Sequence, residues 1–131
     1  MTTTPTPTTQ PADLTTVVDA YIASLNELDA DTRAGLVAQA WTEEARCADP
    51  FQDVTGHEAL AQIAPNVQAL YPGAQFRRTS GVDTHHEFAR FSWEMLGAGG
   101  DVLLHGIDAI IIAPDGRIAG LAGFFGDLPE L

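Results

Sequence analysis

The sequence predicts one α+β domain, with helices in its first half and a mainly antiparallel sheet in its second. Up to residue 70, apolar residues recur every three or four positions, which is the period of a helix with one buried face. From Ala74 onward the period changes to two, as in a half-buried strand. The later segments are joined by short connections, so the strands are expected to run antiparallel and to curl over the helices.

Three helices are predicted. Asp13 is a candidate cap for the first and Asp31 for the second, because each precedes an apolar face of helical spacing. The third begins with the capping-box spacing of residues 55–58, and Pro65 inside it predicts a kink or a break. The apolar positions of the first two helices are Leu14, Val17, Val18, Tyr21, Ile22, Leu25 and Leu28, then Leu36, Val37, Ala40 and Trp41.

The predicted strands follow the same logic. Residues 46–49 are a short edge strand that Pro50 ends. Residues 88–95 alternate between an apolar and a polar face, and a glycine-rich turn at 97–100 leads into a long apolar strand, 103–112. A hairpin turn at 114–116 then returns the chain as the last strand, 117–125.

Charge and composition exclude several classes of function. The net charge of -12 argues against binding nucleic acid or an anionic membrane surface, since both need clustered cations. The chain has no lysine, which excludes Schiff-base chemistry and any other amine nucleophile. No apolar run has the roughly 20 residues of a membrane span.

The two ends of the chain differ in character. Residues 1–12 are rich in Thr and Pro, lack the basic and apolar stretches of a signal peptide, and are predicted to be a disordered tail. Residues 13–131 are predicted to be the single folded domain. Cys47 is the only cysteine, so no intrachain disulfide can form, which suits a reducing cytoplasm.

An aspartate interrupts the most apolar strand. Asp108 is flanked by Ile107 and Ala109 and followed by three isoleucines. Burial raises the pKa of a carboxyl group, far enough in some sites to keep it protonated at neutral pH. A protonated carboxyl group can donate a hydrogen bond to a substrate oxygen on which negative charge develops.

Two further polar groups stand where apolar residues or a buried edge are expected. Tyr21 lies on the apolar face of the first helix, and Asp49 precedes Pro50 at the end of the short strand. If both converge with Asp108, the site holds a base and two neutral donors. Abstraction of a proton next to a carbonyl group requires this combination.

Each residue also has a structural alternative. Tyr21 could pack with its hydroxyl group at the surface, and Asp49 could be a turn residue. Asp108 could be neutralised by an ion pair with Arg90 or Arg46. His85 and His86 alternate along a predicted strand, which favours a solvated hairpin end over a metal site.

Three motifs resemble bacterial Δ5-3-ketosteroid isomerases. Residues 17–26 resemble their first helix, including the tyrosine, and Ala48-Asp49-Pro50 resembles their Asp-Pro motif, in which the aspartate is the base. Gly106-Ile107-Asp108, with residues 116–118 and 124–126, resembles the strand pair that carries their protonated aspartate. The match departs at Ala64, near which these enzymes carry a further tyrosine.

The resemblance spans residues 17–126 and implies the cone-shaped fold shared by nuclear transport factor 2-like proteins and SnoaL-like polyketide cyclases. Three N-terminal helices would pack on a curved, mainly antiparallel sheet, and two copies would form a homodimer. The resemblance also implies a cofactor-free enzyme without a metal. Such a fold carries many activities, so the site must decide the reaction.

These observations lead to one hypothesis. Asp49 shuttles a proton, while Tyr21 and neutral Asp108 hold the enolate oxygen of a small, largely apolar carbonyl compound, steroid-like or polyketide-like. Two alternatives stay open: another SnoaL-like enzyme (a polyketide cyclase, dehydratase or epoxide hydrolase), or a non-catalytic domain that binds an apolar ligand or a protein. The predicted substrate-binding residues are Val18, Trp41, Phe51, Leu60, Ile63, Phe91, Trp93 and Phe125.

Overall fold

Helices cover one face of a curved sheet in the computed structural model, which describes residues 13–131. The tail predicted at residues 1–12 lies outside these residues. The helices are α1 (Leu14–Asn26), α2 (Ala30–Ala40), α3 (His57–Ala61) and α4 (Ile63–Leu70). The strands are β1 (Trp41–Asp49), β2 (Gln52–Thr55), β3 (Gln75–Arg78), β4 (Asp83–His85), β5 (Phe88–Leu96), β6 (Val102–Ile112) and β7 (Ile118–Phe125).

The first two helices form where the apolar period predicts them, but their caps differ. Asp13 precedes α1, but its side chain accepts no backbone amide; only its carbonyl oxygen does, from Val17 at 3.0 Å. The cap of α2 is Asp29, whose carboxylate accepts the Thr32 amide at 2.9 Å, and the predicted cap Asp31 lies in the first turn of the helix. A capping residue needs an extended backbone in front of the helix, and here that residue is Asp29.

The predicted third helix is two helices, broken at Gln62. A proline has no amide hydrogen, so Pro65 could not continue an unbroken helix through this segment. Instead α4 restarts at Ile63, which places Pro65 in its first turn, where no amide donor is needed. The capping-box prediction is wrong, because Thr55 is the last residue of β2 and α3 has no side-chain cap.

The sheet is mixed. Within residues 13–131 its order is β2-β1-β7-β6-β5-β3, with β4 paired to β5, and all pairs are antiparallel except β1 with β7. The predicted edge strand 46–49 is therefore wrong: β1 has nine residues and lies between β2 and β7. Bulges shift the register in the β1–β7, β5–β6 and β6–β7 pairs, and such irregularities bend a sheet.

The register of β5, β6 and β7 positions the functional side chains. Phe91 lies opposite Asp108, Trp93 opposite Gly106, and Asp108 opposite Gly123. Alternation turns Trp93 and Asp108 toward the helices, as predicted, and leaves Arg90 and His105 on the outer face. His86 has a φ of 51°, so it belongs to the turn after β4 rather than to an alternating strand.

Candidate active site

A cavity opens between the inner face of the sheet and helices α1 and α4. Its volume is about 50 Å³, room for only a few water-sized groups. Its wall is apolar except for two carboxyl groups, two phenols, one amide and one indole N–H. The lining residues are Tyr21, Ile22, Leu25, Asp49, Phe51, Gln52, Ile63, Val67, Leu70, Tyr71, Phe76, Trp93, Met95, Leu104, Asp108 and Phe125.

Asp108 lies in this wall and is 3% exposed. Burial raises its pKa to about 7, against the opposing effect of hydrogen bonds from Trp93 and Tyr21, and the charge of Asp49 raises it further. The Trp93 indole nitrogen donates to Asp108 Oδ1 at 3.1 Å. At neutral pH a substantial fraction of this group is therefore a neutral acid.

Neither candidate arginine neutralises Asp108. The Arg90 guanidinium pairs with Asp83 at 2.9 Å, and the Arg46 guanidinium pairs with Asp53 at 2.7 Å. Both pairs are exposed, on the solvent side of the sheet. The ion-pair alternative for Asp108 is wrong.

Tyr21 faces the same cavity from α1. Burial, with the nearby charge of Asp108 as the second cause, raises the pKa of its phenol well above the ordinary value, so the group remains a neutral donor. Its ring packs edge-on against Trp41, at a centroid distance of 5.3 Å, and against Phe91 at 6.4 Å. Two buried aromatic rings therefore fix the direction of the hydroxyl group.

Asp49 ends β1, directly before the two-residue turn of Pro50 and Phe51. Its Oδ1 accepts the Phe51 amide at 2.8 Å, as in an Asx turn, and its Oδ2 accepts the Gln52 side-chain amide at 3.0 Å. Asp49 is thus both a turn residue and part of the cavity wall. Two donated hydrogen bonds suit a carboxylate and hold both of its oxygens in place.

Gly123 allows the two acids to approach one another. A methyl group on this residue would lie 2.9 Å from Asp108 Oδ1 and 3.1 Å from Asp49 Cβ. Both distances are shorter than real Cβ contacts allow without movement of a neighbour. The absence of a side chain at Gly123 therefore lets both carboxyl groups lie at one cavity in their present positions.

The structure places seven predicted site residues in the cavity wall. They are Tyr21, Asp49, Phe51, Ile63, Trp93, Asp108 and Phe125. The four others, Val18, Trp41, Leu60 and Phe91, are buried in the core but do not line the cavity. Trp41 and Phe91 lie behind the Tyr21 ring, which separates them from the cavity.

Helix geometry explains why Leu60 and Val18 lie outside the cavity wall. Leu60 lies on α3, whereas the wall is built from the apolar face of α4 with Ile63. Val18 is fully buried, and the cavity begins one turn later on α1, at Tyr21. Spacing identifies the buried face of a helix, but not which turn of that face meets a cavity.

Gln52 and Gly123 were not predicted from the sequence. A signal existed for Gln52, because a residue two positions after Asp-Pro in a tight turn faces back toward the aspartate. For Gly123 the only signal was its position opposite Asp108, and that requires the strand register.

A solved structure similar to this chain is that of a candidate isomerase of the SnoaL-like family from Agrobacterium tumefaciens strain C58. The two sequences are 33% identical, the TM-score is 0.80, and the match covers 86% of this chain and 97% of the other. The chain belongs to the SnoaL-like family. No protein-family model and no curated protein matches it.

Two further solved structures share the fold of this SnoaL-like protein. An NTF2-like protein from Exiguobacterium sp. 255-15 is 19% identical with a TM-score of 0.68, covering 86% of this chain and 99% of the other. A candidate polyketide cyclase from Sinorhizobium meliloti is 17% identical with a TM-score of 0.65, covering 87% and 98%. These matches confirm the nuclear transport factor 2-like fold.

The remaining sequence-based expectations concern membranes and metals. None of the helices within residues 13–131 combines the length and apolar character needed to cross a membrane. In the same part of the chain, no three His, Cys, Asp or Glu side chains are grouped as metal ligands would be. His85 and His86 are exposed, with their Nδ1 atoms 3.1 Å apart.

Proposed function

We propose that this SnoaL-like protein is a cofactor-free isomerase that transfers a proton next to the carbonyl group of a small, largely apolar compound. One observation carries the proposal: a buried acid whose pKa is raised to about 7 and a buried phenol face an apolar cavity that a second carboxyl group, that of Asp49, also lines. The similarity to the Agrobacterium protein, itself described as a candidate isomerase, supports the reaction class.

The proposed reaction has two balanced steps. The Asp49 carboxylate removes a proton from the carbon next to the carbonyl group, and the electron pair moves onto the carbonyl oxygen to give a dienolate. Tyr21 and neutral Asp108 stabilise that oxygen by donating hydrogen bonds. Protonated Asp49 then returns the proton to the γ-carbon, which moves the double bond and restores the carboxylate.

The size of the cavity limits the substrate. About 50 Å³ admits the reacting end of a molecule, not a fused ring system. At its mouth, the lining residues Phe51, Leu70 and Tyr71 form an exposed apolar rim; Phe51 and Leu70 are 58% and 70% exposed. We propose that a hydrocarbon portion of the substrate lies along this rim, while the carbonyl group enters the cavity.

An isomerisation assay of the unmodified protein tests this function. We expect the protein to convert the monocyclic β,γ-enone 3-cyclohexenone to its conjugated isomer, which is detected by its absorbance. We expect kcat/KM for this compound to exceed that for 5-androstene-3,17-dione. Exchange of deuterium into the α-carbon should accompany turnover. If neither compound is isomerised and no exchange occurs, the proposed activity is wrong; saturable binding alone would indicate the non-catalytic alternative.

We also propose that two copies associate through the outer face of the sheet. A solvated sheet face is normally polar, yet this one carries Phe88, Ile107, Ile111 and Phe124, each roughly half exposed. The register places Phe88 opposite Ile111 and Ile107 opposite Phe124, so the four form one patch across β5, β6 and β7. Contiguous apolar surface of this kind marks an interaction site.

Light scattering after size-exclusion chromatography tests the homodimer. We expect the unmodified protein to have twice the mass of one chain, and Ile107→Asp to have the mass of one chain, because a charge would be buried in the interface. Leu28→Asp is the matched control, since Leu28 is 74% exposed and lies outside the sheet. A monomeric unmodified protein at micromolar concentration contradicts the proposal.

A further inference from the structure

The Trp93 indole occupies an unusual position above the backbone of β6. Trp93 is the register partner of Gly106, not of Asp108, so its ring reaches diagonally to the acid. A methyl group on Gly106 would lie 2.6 Å from Trp93 Cζ2 and would also collide with the Phe124 carbonyl oxygen. The ring therefore uses the space that the missing side chain leaves.

Two phenylalanine rings hold the indole in this orientation. Phe76 packs at a centroid distance of 5.8 Å and Phe125 at 5.5 Å, the latter edge-on. With the Gly106 backbone beneath it, the ring has contacts in three directions. A side chain packed in this way keeps its N–H directed at one point, which is Asp108 Oδ1.

The chemistry of the two groups then fixes the proton of the acid. An indole N–H only donates, and the better acceptor in a neutral carboxyl group is its carbonyl oxygen. Oδ1 also lies against Gly123. Trp93 gives the one hydrogen bond of ordinary length to Asp108 among the described residues, and it goes to Oδ1. No unpartnered polar side-chain atom is sealed off in this part of the protein, so Oδ2 is open to the cavity, which the Tyr21 phenol also faces as a second donor near the acid.

We infer that Trp93 is a positioning residue that holds Oδ1 of Asp108 as the carbonyl oxygen of a neutral acid, and so keeps the O–H on Oδ2, toward the substrate. The catalytic consequence rests on the proposed function, whereas the position of the proton does not. Without the indole, the carboxyl group could rotate and place its O–H toward the strand.

The groups that face Asp108 must be considered in any titration. They are the phenol of Tyr21 on α1 and, on β1, the carboxylate of Asp49 and the thiol of Cys47. Burial keeps the phenol and the thiol neutral, because it raises the pKa of each above its ordinary value. Among residues 13–131, Asp49 is the one charged group that acts on Asp108, and Trp93→Phe leaves it in place.

Trp93→Phe removes the N–H and keeps an aromatic ring. We expect the pKa of Asp108, followed by the NMR signal of its carboxyl carbon, to rise, because the lost bond stabilised the charged form. For the isomerisation, we expect kcat to fall about tenfold with little change in KM. Ile118→Val is the control: it trims a fully buried core side chain that does not line the cavity, and it should leave that pKa unchanged.

A second measurement needs no variant. The chain has two tryptophans, so the indole N–H signal of Trp93 can be followed with pH while that of Trp41 serves as an internal reference. We expect the Trp93 signal to move with the same midpoint as the Asp108 carboxyl carbon. A Trp93 signal that does not follow Asp108, or an Asp108 pKa unchanged by Trp93→Phe, overturns the inference.

The outcomes separate the inference from the proposed function. If the unmodified protein fails to isomerise either enone but the Trp93 and Asp108 signals titrate together, the function is wrong and the positioning role stands. If isomerisation occurs and Trp93→Phe alters neither the Asp108 titration nor kcat, the positioning role is wrong and the function stands.

Discussion

Asp49→Asn is expected to lower kcat for enone isomerisation by about 10²–10⁴-fold, because an amide cannot accept the α-proton. The fold should be kept, since the asparagine side-chain oxygen can still accept the Phe51 amide. Steady-state rates with the monocyclic enone measure the effect. Deuterium exchange at the α-carbon should fall in parallel, because both processes begin with the same proton transfer.

A nearby aspartate provides the matched control for this variant. Asp53 lies on β2, pairs with Arg46 and is exposed, so Asp53→Asn should leave kcat within about twofold. A rate for Asp49→Asn within threefold of the unmodified protein would assign proton abstraction to another group. Loss of activity in both variants would instead indicate a general effect of charge.

Asp108→Asn is expected to change how stability depends on pH. The folded protein holds the Asp108 proton up to a pKa of about 7, whereas the unfolded chain releases it near 3.8. Between these values the unfolded state binds fewer protons, so the free energy of unfolding of the unmodified protein falls as pH rises, and it levels off above about pH 7. In Asp108→Asn the asparagine does not titrate, so this fall in the free energy of unfolding is absent.

Urea unfolding at pH 5 and pH 8 measures the difference. The quantity of interest is the free energy of unfolding of Asp108→Asn minus that of the unmodified protein. We expect it to increase by about 3 kcal/mol from pH 5 to pH 8, because each pH unit contributes about 1.36 kcal/mol over the roughly two units between pH 5 and the pKa of Asp108. All other carboxyl groups are common to both proteins and cancel. Parallel curves would mean that Asp108 is ionised in the folded protein, and the neutral donor would be lost from the mechanism.

The fold was largely predictable, because hydrophobic period decides which face of each element is buried. The change of period at Ala74 and the alternation around Trp93 are confirmed by the structure. The break at Gln62 follows from the chemistry of Pro65, although the sequence predicted the kink or break at Pro65 itself, three residues later. The error in β1 has a different origin, since its pairing with β7 is parallel and joins residues far apart in the chain.

The site was predictable only in part. An acid in an apolar strand is a strong signal of function, and Asp108 was found in that way. The sequence does not show whether a buried side chain lines a cavity or lies behind the residues that line it. For this reason Trp41 and Phe91 were expected in the cavity wall but lie behind Tyr21. Gln52 and Gly123 act through turn geometry and register, which sequence period does not give.

The bare backbone at Gly123 has a consequence for sorting homologous chains. In a homologue with alanine or a bulkier residue there, the strand aspartate or the facing acid would have to move away from its position in this protein. Glycine facing the strand aspartate therefore marks chains that can keep this spacing of the two acids, and a bulkier residue marks chains in which the spacing differs.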